Sequence, residues 1–254
     1  MTRRQIVALG GGGFSEEPDN DLLDNYILGL CPCDRPSVCF LPTASGDADK
    51  YIAKFYAAFA LPRSTPSHVS LFHPKSLDEF PETTIDLHDD IESHLLSQDV
   101  IYVGGGNTPA MLAVWRIHGL DRVLRRTWER GVVVCGISAG SLCWFESGLT
   151  DALGNGLQPL RDGLGLVRGS HCPHYDSEPG RRPAYLELVG KGELDEGWAA
   201  DDGAALHFVD TEFRVAVSSR PSARAYRVTR LEGEAQEIEI PINYLGEPAS
   251  PPLR

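Results

Sequence analysis

Several features that would assign this chain to a familiar class are missing from its 254 residues. No stretch approaches the roughly 18 consecutive apolar residues that a membrane-spanning helix needs. No Lys/Arg-rich run occurs and the formal net charge is −13, so we expect neither nucleic acid nor an anionic membrane to be a partner. The apolar run after Arg4 is too short for a signal-peptide core, which predicts a cytoplasmic protein.

Common cofactor signatures are absent as well. The six cysteines form no pair of Cys-x-x-Cys knuckles, and no Gly-Lys-Ser/Thr is present, which excludes a P-loop. The cluster Gly10–Gly13 lacks a dinucleotide fingerprint. His171, Cys172 and His174, followed by Asp176, argue only weakly for a metal, because structural zinc needs four ligands at defined spacing. We therefore expect no metal and no organic cofactor.

Short apolar runs alternate with amphipathic segments of helical length over the first 135 residues. Val100–Val103 and Val132–Cys135 are continuously apolar, as expected of strands that are covered on both faces. This alternation predicts βαβ units and an α/β fold with a mostly parallel sheet flanked by helices. The expected strands are Gln5–Leu9, Ser37–Leu41, His68–Leu71, Val100–Val103 and Gly131–Cys135, and the expected helices are Leu22–Leu30, Asp49–Ala60, Ile91–Ser97 and Thr108–Arg130.

The pattern loosens beyond about residue 150. A helix is expected near Ala184–Val189, and β-like segments occur at Ala205–Val209, Arg214–Val217, Ala225–Val228 and Glu237–Ile242. We expect the last 50 residues to form short antiparallel strands that extend or flank the same sheet. The chain is then a single α/β domain over residues 1–247, followed by a proline-rich tail over residues 248–254.

The most informative segment is Gly-Ile-Ser-Ala-Gly at 136–140, which follows an apolar run. A strand that turns sharply into a helix exposes the side chain at the turn to a cleft, and glycines on either side permit the close backbone contacts of such a turn. Ser138 is therefore the candidate nucleophile, with a helix resuming over Ser141–Phe145. The amide of Ala139 would lie at a helix N-terminus, where it can stabilise an oxyanion. A glycine-rich turn with a serine N-cap is the alternative.

A second glycine cluster, Gly104–Gly106, follows another predicted strand and precedes the elbow by about one βα unit. Its loop should lie beside the elbow at the carboxyl edge of the sheet, where ligands bind in such folds. The amide of Gly106 could then complete the oxyanion hole, and Asn107 could bind a substrate carboxylate or carbonyl. A phosphate-binding turn or a simple tight connection is the alternative.

A serine nucleophile needs a base and, usually, a carboxylate that orients the base. His171 and His174 lie in a proline-containing segment without clear helix or strand periodicity, a suitable place for a rigidly held base. The five histidines before the elbow are expected on the surface or in loops, and His207 within a strand. The residues alone leave the choice between His171 and His174 open.

Three blocks together resemble the S51 peptidase family, whose members include aspartyl dipeptidase (peptidase E) and, more distantly, cyanophycinase. They are Val-Gly-Gly-Gly-Asn-Thr at 103–108, Gly-Ile-Ser-Ala-Gly-Ser at 136–141 and Pro-His-Tyr at 173–175, within a resemblance that covers roughly residues 5–220. The blocks occur in the family's order and at similar spacing. The resemblance implies a fold like the class I glutamine amidotransferase domain, of the flavodoxin-like type.

The resemblance also implies the site. Ser138 would be the nucleophile, His174 the base, and Asp202 the acid where the dipeptidase has a glutamate; Asp151 matches another acidic position near the site. Arg181 falls where the family has a substrate-binding arginine. The implied activity is that of a serine exopeptidase which hydrolyses small peptides, in particular dipeptides with N-terminal Asp, through an acyl-enzyme. We expect a monomer or a small homo-oligomer.

Two other functions fit parts of the pattern. An α/β-hydrolase esterase also uses Gly-x-Ser-x-Gly, but that fold needs the order Ser, acid, His. Only His207 could satisfy this order, with Asp176 or Asp202 as the acid. An inactive relative that binds small acidic peptides is the second alternative, and the presence of Ser138, His174 and an acid together argues against it.

Overall fold

Residues 3–77, 79–154 and 156–246 are described by the computed structural model, and they form two β-sheets with helices packed against them. The predicted tail at 248–254 lies outside these residues. Within the described ranges, no helix combines the length and the apolar character that a membrane crossing requires.

The larger sheet has nine strands among the described residues, and its centre is parallel. In spatial order the strands are β15 (Ile242–Tyr244), β12 (Glu212–Ser218), β11 (Ala204–Val209), β1 (Gln5–Leu9), β6 (Val133–Ile137), β5 (Val100–Val103), β2 (Ser37–Leu41), β3 (Thr65–Val69) and β4 (Thr84–Ile85). In this order every neighbouring pair from β1 to β4 is parallel, whereas β11 pairs antiparallel with β1 and with β12.

A second sheet, with six described strands, corrects the expectation of a single sheet. In spatial order its strands are β14 (Glu234–Glu239), β13 (Ala225–Leu231), β10 (Gly197–Ala200), β9 (Val167–Cys172), β7 (Phe145–Thr150) and β8 (Gln158–Leu160). Of the late strands, β11, β12 and β15 extend the first sheet, whereas β13 pairs with β10 and β14 pairs with β13. Strand β9 occupies much of the segment in which the sequence showed no clear periodicity.

The helices follow the expected segments with two corrections. The helix expected over Thr108–Arg130 is two helices, because Gly119 adopts a left-handed conformation (φ 72°) that ends the first one. The helix expected over Ser141–Phe145 is wrong: its helix ends at Leu142, and β7 begins at Phe145. The helices are α1 (Gly13–Glu16), α2 (Leu22–Leu28), α3 (Asp49–Phe59), α4 (Ile91–Leu96), α5 (Thr108–His118), α6 (Leu120–Glu129), α7 (Ala139–Leu142) and α8 (Arg181–Gly190).

The fold class is confirmed as mixed α/β with sheets flanked by helices. Three strands have the expected bounds, while those expected at His68–Leu71 and Gly131–Cys135 run over Thr65–Val69 and Val133–Ile137. Continuous apolar runs locate such strands but do not fix their ends, because buried side chains continue past the last ladder bond.

An aromatic cluster fastens α1 and α3 to one face of the larger sheet. The ring of Phe14 in α1 lies 5.6 Å from that of Phe40 in β2 and 5.7 Å from that of Phe55 in α3, and Phe40 stacks on Phe55 at 4.8 Å. All three side chains are buried, and each contributes roughly 1.5–3 kcal/mol through burial. The cluster therefore fixes the parts of α1 and α3 that overhang the carboxyl edge of the sheet.

Candidate active site

Ser138 lies at a strained turn between β6 and α7. Its φ is 56° and its ψ −115°, a region that non-glycine residues rarely occupy. The flanking glycines are required by close backbone contacts: a Cβ on Gly136 would lie 2.3 Å from the carbonyl oxygen of Gly140, and one on Gly140 would lie 2.2 Å from that of Val103. This is the geometry of a nucleophile elbow, in which the serine side chain is presented above the sheet.

Three consecutive carbonyls at the end of β1 hold the segments that carry the predicted catalytic residues. The amide of Ser138 donates to the carbonyl of Leu9 (3.3 Å), and that of His174 donates to the carbonyl of Gly10 (2.9 Å). The amide of Gly203, next to Asp202, donates to the carbonyl of Gly11 (3.1 Å). The sheet centre thus joins three segments that are far apart in sequence.

His174 and Asp202 form a pair in this region. His174 Nδ1 lies 2.7 Å from Asp202 Oδ1, and both side chains are largely buried, at 12% and 17% exposed. Because a carboxylate can only accept, Nδ1 carries the hydrogen and donates it. The amide of Asp202 donates in turn to Asp176 Oδ1 (2.9 Å), which orients the Asp202 segment. The imidazole is therefore held by one nitrogen, and Nε2 is the nitrogen left for proton transfer.

Electrostatics support a proton-accepting role for His174. Burial lowers its pKa, but the hydrogen bond and the charge of Asp202, aided by Glu16 and Glu178, outweigh burial and raise the pKa above its ordinary value of 6.5. Burial raises the pKa of Asp202, yet the bond and charge of His174 bring it below its ordinary value. The pair therefore favours an imidazolium beside a carboxylate, the state that forms when the histidine accepts a proton.

Ser138 Oγ and the His174 side chain are not hydrogen-bonded to each other in the described structure. Among the hydrogen bonds of the described residues, none joins these two side chains. Catalytic hydrogen bonds of this kind are often long in a free enzyme and tighten once substrate binds. The shared anchoring on Leu9 and Gly10 is what brings the two segments together.

His171 occupies a different environment from His174. It is fully buried, its ring stacks on Phe145 at 4.6 Å, and burial lowers its pKa to about 3. Its Nδ1 lies 3.2 Å from the carbonyl of Trp198, which can only accept, so Nδ1 carries the hydrogen. Nε2 then accepts from the hydroxyl of Ser141 (3.0 Å). Geometry therefore favours His174 over His171 as the base, and His171 is a neutral packing residue beneath α7.

The second glycine cluster lies directly against the nucleophile. A Cβ on Gly105 would lie 3.3 Å from the Cβ of Ser138, and the amide of Gly105 donates to the hydroxyl of Tyr51 (3.1 Å). Over the described part of the chain, the amides of Gly106 and Ala139 donate to no protein acceptor. They are therefore free to donate to an oxyanion.

Three predicted side chains have partners outside this arrangement. Asn107 Oδ1 caps α5 by accepting the amide of Ala110 (2.9 Å). Asp151 is 65% exposed, 3.9 Å from Arg181, and makes no described contact with His174. The Arg181 side chain is only 4% exposed, because Glu178 accepts from its Nε (2.7 Å) and Nη2 and the Leu149 carbonyl accepts from Nη1 (3.3 Å). Asp151 and Arg181 thus lie beside each other, and among the described hydrogen bonds and ion pairs neither side chain bonds to Ser138, His174 or Asp202.

A cavity of about 470 Å³ opens beside Ser138. Its walls come from Gly105 and Gly106 on one side and from α1 and α3 on the other, where the charged residues Glu16, Lys50 and Lys54 line it. Sequence reasoning missed these three residues. A usable signal was present: Lys50 and Lys54 stand four apart on a predicted helix that follows a strand end, so they share the face above the carboxyl edge.

Glu16, His174 and Asp202 are the one group of possible metal ligands found in the described ranges, with donor atoms within 4.8 Å of one another. His174 Nδ1 and Asp202 Oδ1 are already bonded to each other at 2.7 Å. A metal bound through these two atoms would have to break that bond. The three side chains therefore fit a histidine–carboxylate pair with a neighbouring acid better than a metal centre.

An α/β sheet with an elbow serine and a histidine–aspartate pair at its carboxyl edge is the type of site that covalent hydrolases use. The model of peptidase family S51 matches residues 6–216, and the chain belongs to this family. The predicted family membership is thereby confirmed, and the protein is a peptidase by family.

Known proteins similar to the chain agree with this assignment. The chain is 52% identical over 243 residues to the uncharacterized peptidase YgaJ of Bacillus subtilis (strain 168), covering 96% of this chain and all of that protein. A solved structure from Listeria monocytogenes EGD-e, assigned provisionally as a peptidase E, matches with a TM-score of 0.56 at 17% identity, over 84% of this chain and 98% of that one. A peptidase from an acI-B1 Actinobacterium matches with a TM-score of 0.59 at 16% identity, over 94% and 97%. At these identities the two structures support the fold alone.

Proposed function

We propose that the protein is a serine-type exopeptidase in which Ser138 is the nucleophile, His174 the general base and Asp202 the residue that orients the base. The observation that carries this proposal is the 2.7 Å bond between His174 and Asp202, on segments that hydrogen-bond to the end of β1 beside the anchor of Ser138. The proposed enzyme acts in the cytoplasm and uses neither a metal nor an organic cofactor.

In the proposed reaction, His174 Nε2 accepts the Ser138 hydroxyl proton as Oγ attacks the first peptide carbonyl. The amides of Gly106 and Ala139 donate to the oxyanion, and each such donor typically contributes about 10²- to 10³-fold in rate. His174 then protonates the leaving amine, which leaves an acyl-enzyme on Ser138. A water molecule, deprotonated by His174, hydrolyses this ester and restores the free enzyme.

The proposed substrates are small peptides, in particular dipeptides with N-terminal Asp. A cavity of about 470 Å³ is of the size that binds small ligands. Its wall carries Lys50 and Lys54, which supply positive charge in a protein of net charge −13. Small size favours an exopeptidase, and the lysines favour an acidic substrate.

The proposal is tested by hydrolysis of Asp-Ala, Asn-Ala and Ala-Ala with wild type, Ser138→Ala and the matched control Ser97→Ala. Ser97 caps the C-terminus of α4, and within the described ranges its hydroxyl bonds only to neighbouring groups, so its loss should leave turnover unchanged. We expect Asp-selective hydrolysis that is lost in Ser138→Ala alone. A fluorophosphonate should label wild type but not Ser138→Ala. Equal turnover by Ser138→Ala and wild type would refute the serine mechanism.

The structure gives no support to the esterase alternative. Its base would have to be His207, which lies in β11 and shares a 2.7 Å hydrogen bond with the hydroxyl of Tyr26. Burial, with a smaller contribution from Arg214, lowers the pKa of His207 to about 4. A neutral strand histidine with this partner has no described contact with Ser138.

A further inference from the structure

Three charged side chains in the cavity beside Ser138 have no ionic partner among the described residues. Glu16 Oε2 accepts the amide of Gly12 (2.7 Å), and Lys54 Nζ donates to the carbonyl of Ser15 (3.0 Å). Both bonds are to neutral backbone groups. Across the residues that the structure describes, neither of these side chains nor Lys50 forms an ion pair. The cavity therefore offers one negative and two positive charges to a ligand.

These charges complement one class of peptide. A dipeptide with N-terminal Asp carries one ammonium group and two carboxylates, the opposite of the cavity's charge set. Resting on the proposed function, we propose that Glu16 binds the α-amino group, Lys54 the β-carboxylate of the N-terminal residue, and Lys50 the C-terminal carboxylate. The three residues would thereby determine both exopeptidase action and selectivity for acidic N-termini.

Glu16 is placed suitably for the α-amino group. That group is one bond away from the carbon next to the scissile carbonyl, so its partner must lie close to the catalytic histidine. A carboxylate oxygen of Glu16 lies within 4.8 Å of a ring nitrogen of His174 and of an oxygen of Asp202. The bond from Gly12 and the burial of Phe14 in the same helix fix Glu16 at this point.

The order of the two lysines follows from their positions on α3. Lys54 bonds to Ser15, the neighbour of Glu16, so it is the cation next to the amine site and fits the side chain of the same substrate residue. Lys50 lies one turn earlier, about 6 Å along the helix axis, and fits a group further along the substrate. Arg181 is unsuited to either role, because its guanidinium is already bound to Glu178 and to the Leu149 carbonyl.

The test pairs each charge on the enzyme with one charge on the substrate. Asp-Ala is compared with Asn-Ala, with Asp-Ala amide and with N-acetyl-Asp-Ala, using wild type, Glu16→Gln, Lys54→Gln and Lys50→Gln. Lys191→Gln is the matched control, since Lys191 pairs with Glu187 on α8 and does not line the cavity. Labelling of Ser138 by a neutral fluorophosphonate reports that each variant retains a folded catalytic centre.

We expect each cavity variant to lower kcat/KM for Asp-Ala about tenfold or more, as is typical for the loss of a hydrogen bond between charged groups. Lys54→Gln should remove most of the preference for Asp-Ala over Asn-Ala, and Lys50→Gln most of the preference for Asp-Ala over its amide. Glu16→Gln should remove most of the preference over the N-acetyl peptide. Lys191→Gln should behave as wild type.

The outcomes separate this inference from the proposed function. If wild type hydrolyses Asp-Ala but Lys54→Gln and Lys50→Gln keep wild-type preferences, the assignment of the lysines is overturned while the serine peptidase stands. If Glu16→Gln keeps the wild-type preference for Asp-Ala over N-acetyl-Asp-Ala, the assignment of Glu16 is overturned while the serine peptidase stands. If wild type hydrolyses none of these peptides, the proposed function is overturned and the inference falls with it.

Discussion

Replacing Gly11 with alanine should break the hydrogen bond between the proposed acid, Asp202, and the proposed base, His174, while leaving both residues in the sequence. A Cβ on Gly11 would lie 2.1 Å from Asp202 Oδ1, the oxygen that His174 bonds, and 2.9 Å from Glu16 Oε2. Gly11 does not have a positive φ, so the backbone itself tolerates alanine. The methyl group must therefore displace the carboxylate by about 1 Å, which is enough to break a 2.7 Å hydrogen bond.

The expected loss follows from that displacement. Misplacing a catalytic group by about 1 Å costs about 10²-fold in rate, or about 2.7 kcal/mol, and complete loss of the orienting carboxylate about 10⁴-fold. We expect Gly11→Ala to lower kcat for Asp-Ala within this range.

The matched control for Gly11→Ala is Gly29→Ala. Gly29 has a φ of −67°, and a Cβ there would come no closer than 3.2 Å to a neighbour. Activity would be measured by initial rates on Asp-Ala, and folding by thermal unfolding. A folded Gly11→Ala with kcat within threefold of wild type would refute the idea that Asp202 acts through His174.

Four further outcomes follow from the site. Activity should fall as the pH drops through the raised pKa of His174, because the base must be neutral; Asp202→Asn should move this acidic limb to lower pH in a pH–rate profile. The stability contribution of His174 has the opposite sign: it is fully present below about pH 6.5 and is lost as pH rises through the folded-state pKa, which urea titrations at pH 5.5 and 8.5 would detect. Asp202→Asn should reduce kcat by at least 10²-fold and Asp151→Asn by less than threefold, and the reverse ranking would make Asp151 the acid. Arg181→Ala should lower the free energy of unfolding by about 1–3 kcal/mol in urea titrations yet keep the preference for Asp-Ala over Asn-Ala; lost preference would return Arg181 to the substrate pocket.

The parallel centre of the larger sheet was predictable because its strands are buried on both faces. Val100–Val103 and the run before Ser138 contain no polar residue, and glycines follow each of them. The elbow was predictable because it requires glycine at two positions. A Cβ on Gly136 or on Gly140 would lie 2.3 or 2.2 Å from a backbone oxygen, so both residues must be glycine and the pair is visible in the sequence.

The second sheet was not predictable from periodicity. Strand β9 ends in a fully buried Ser170-His171-Cys172, whose polar side chains are satisfied by tertiary partners, so no apolar run marks it. The sequence also could not distinguish a packing role of His171 from a catalytic one, because its bonds to Trp198 and Ser141 form only in the folded protein. The burial of Arg181 was not predictable either, because the sequence does not reveal that Glu178, three residues earlier, binds its guanidinium.

The dependence of Ser138, His174 and Gly203 on the carbonyls of Leu9, Gly10 and Gly11 has a consequence for synthesis of the protein. Strand β1 is complete after nine residues, yet its antiparallel neighbour β11 is made only from residue 204 onward. During translation Ser138 and His174 therefore emerge before β11 has been made, and Asp202 emerges just before it. A ribosome-bound chain that stops short of β11 is therefore expected to lack the assembled site.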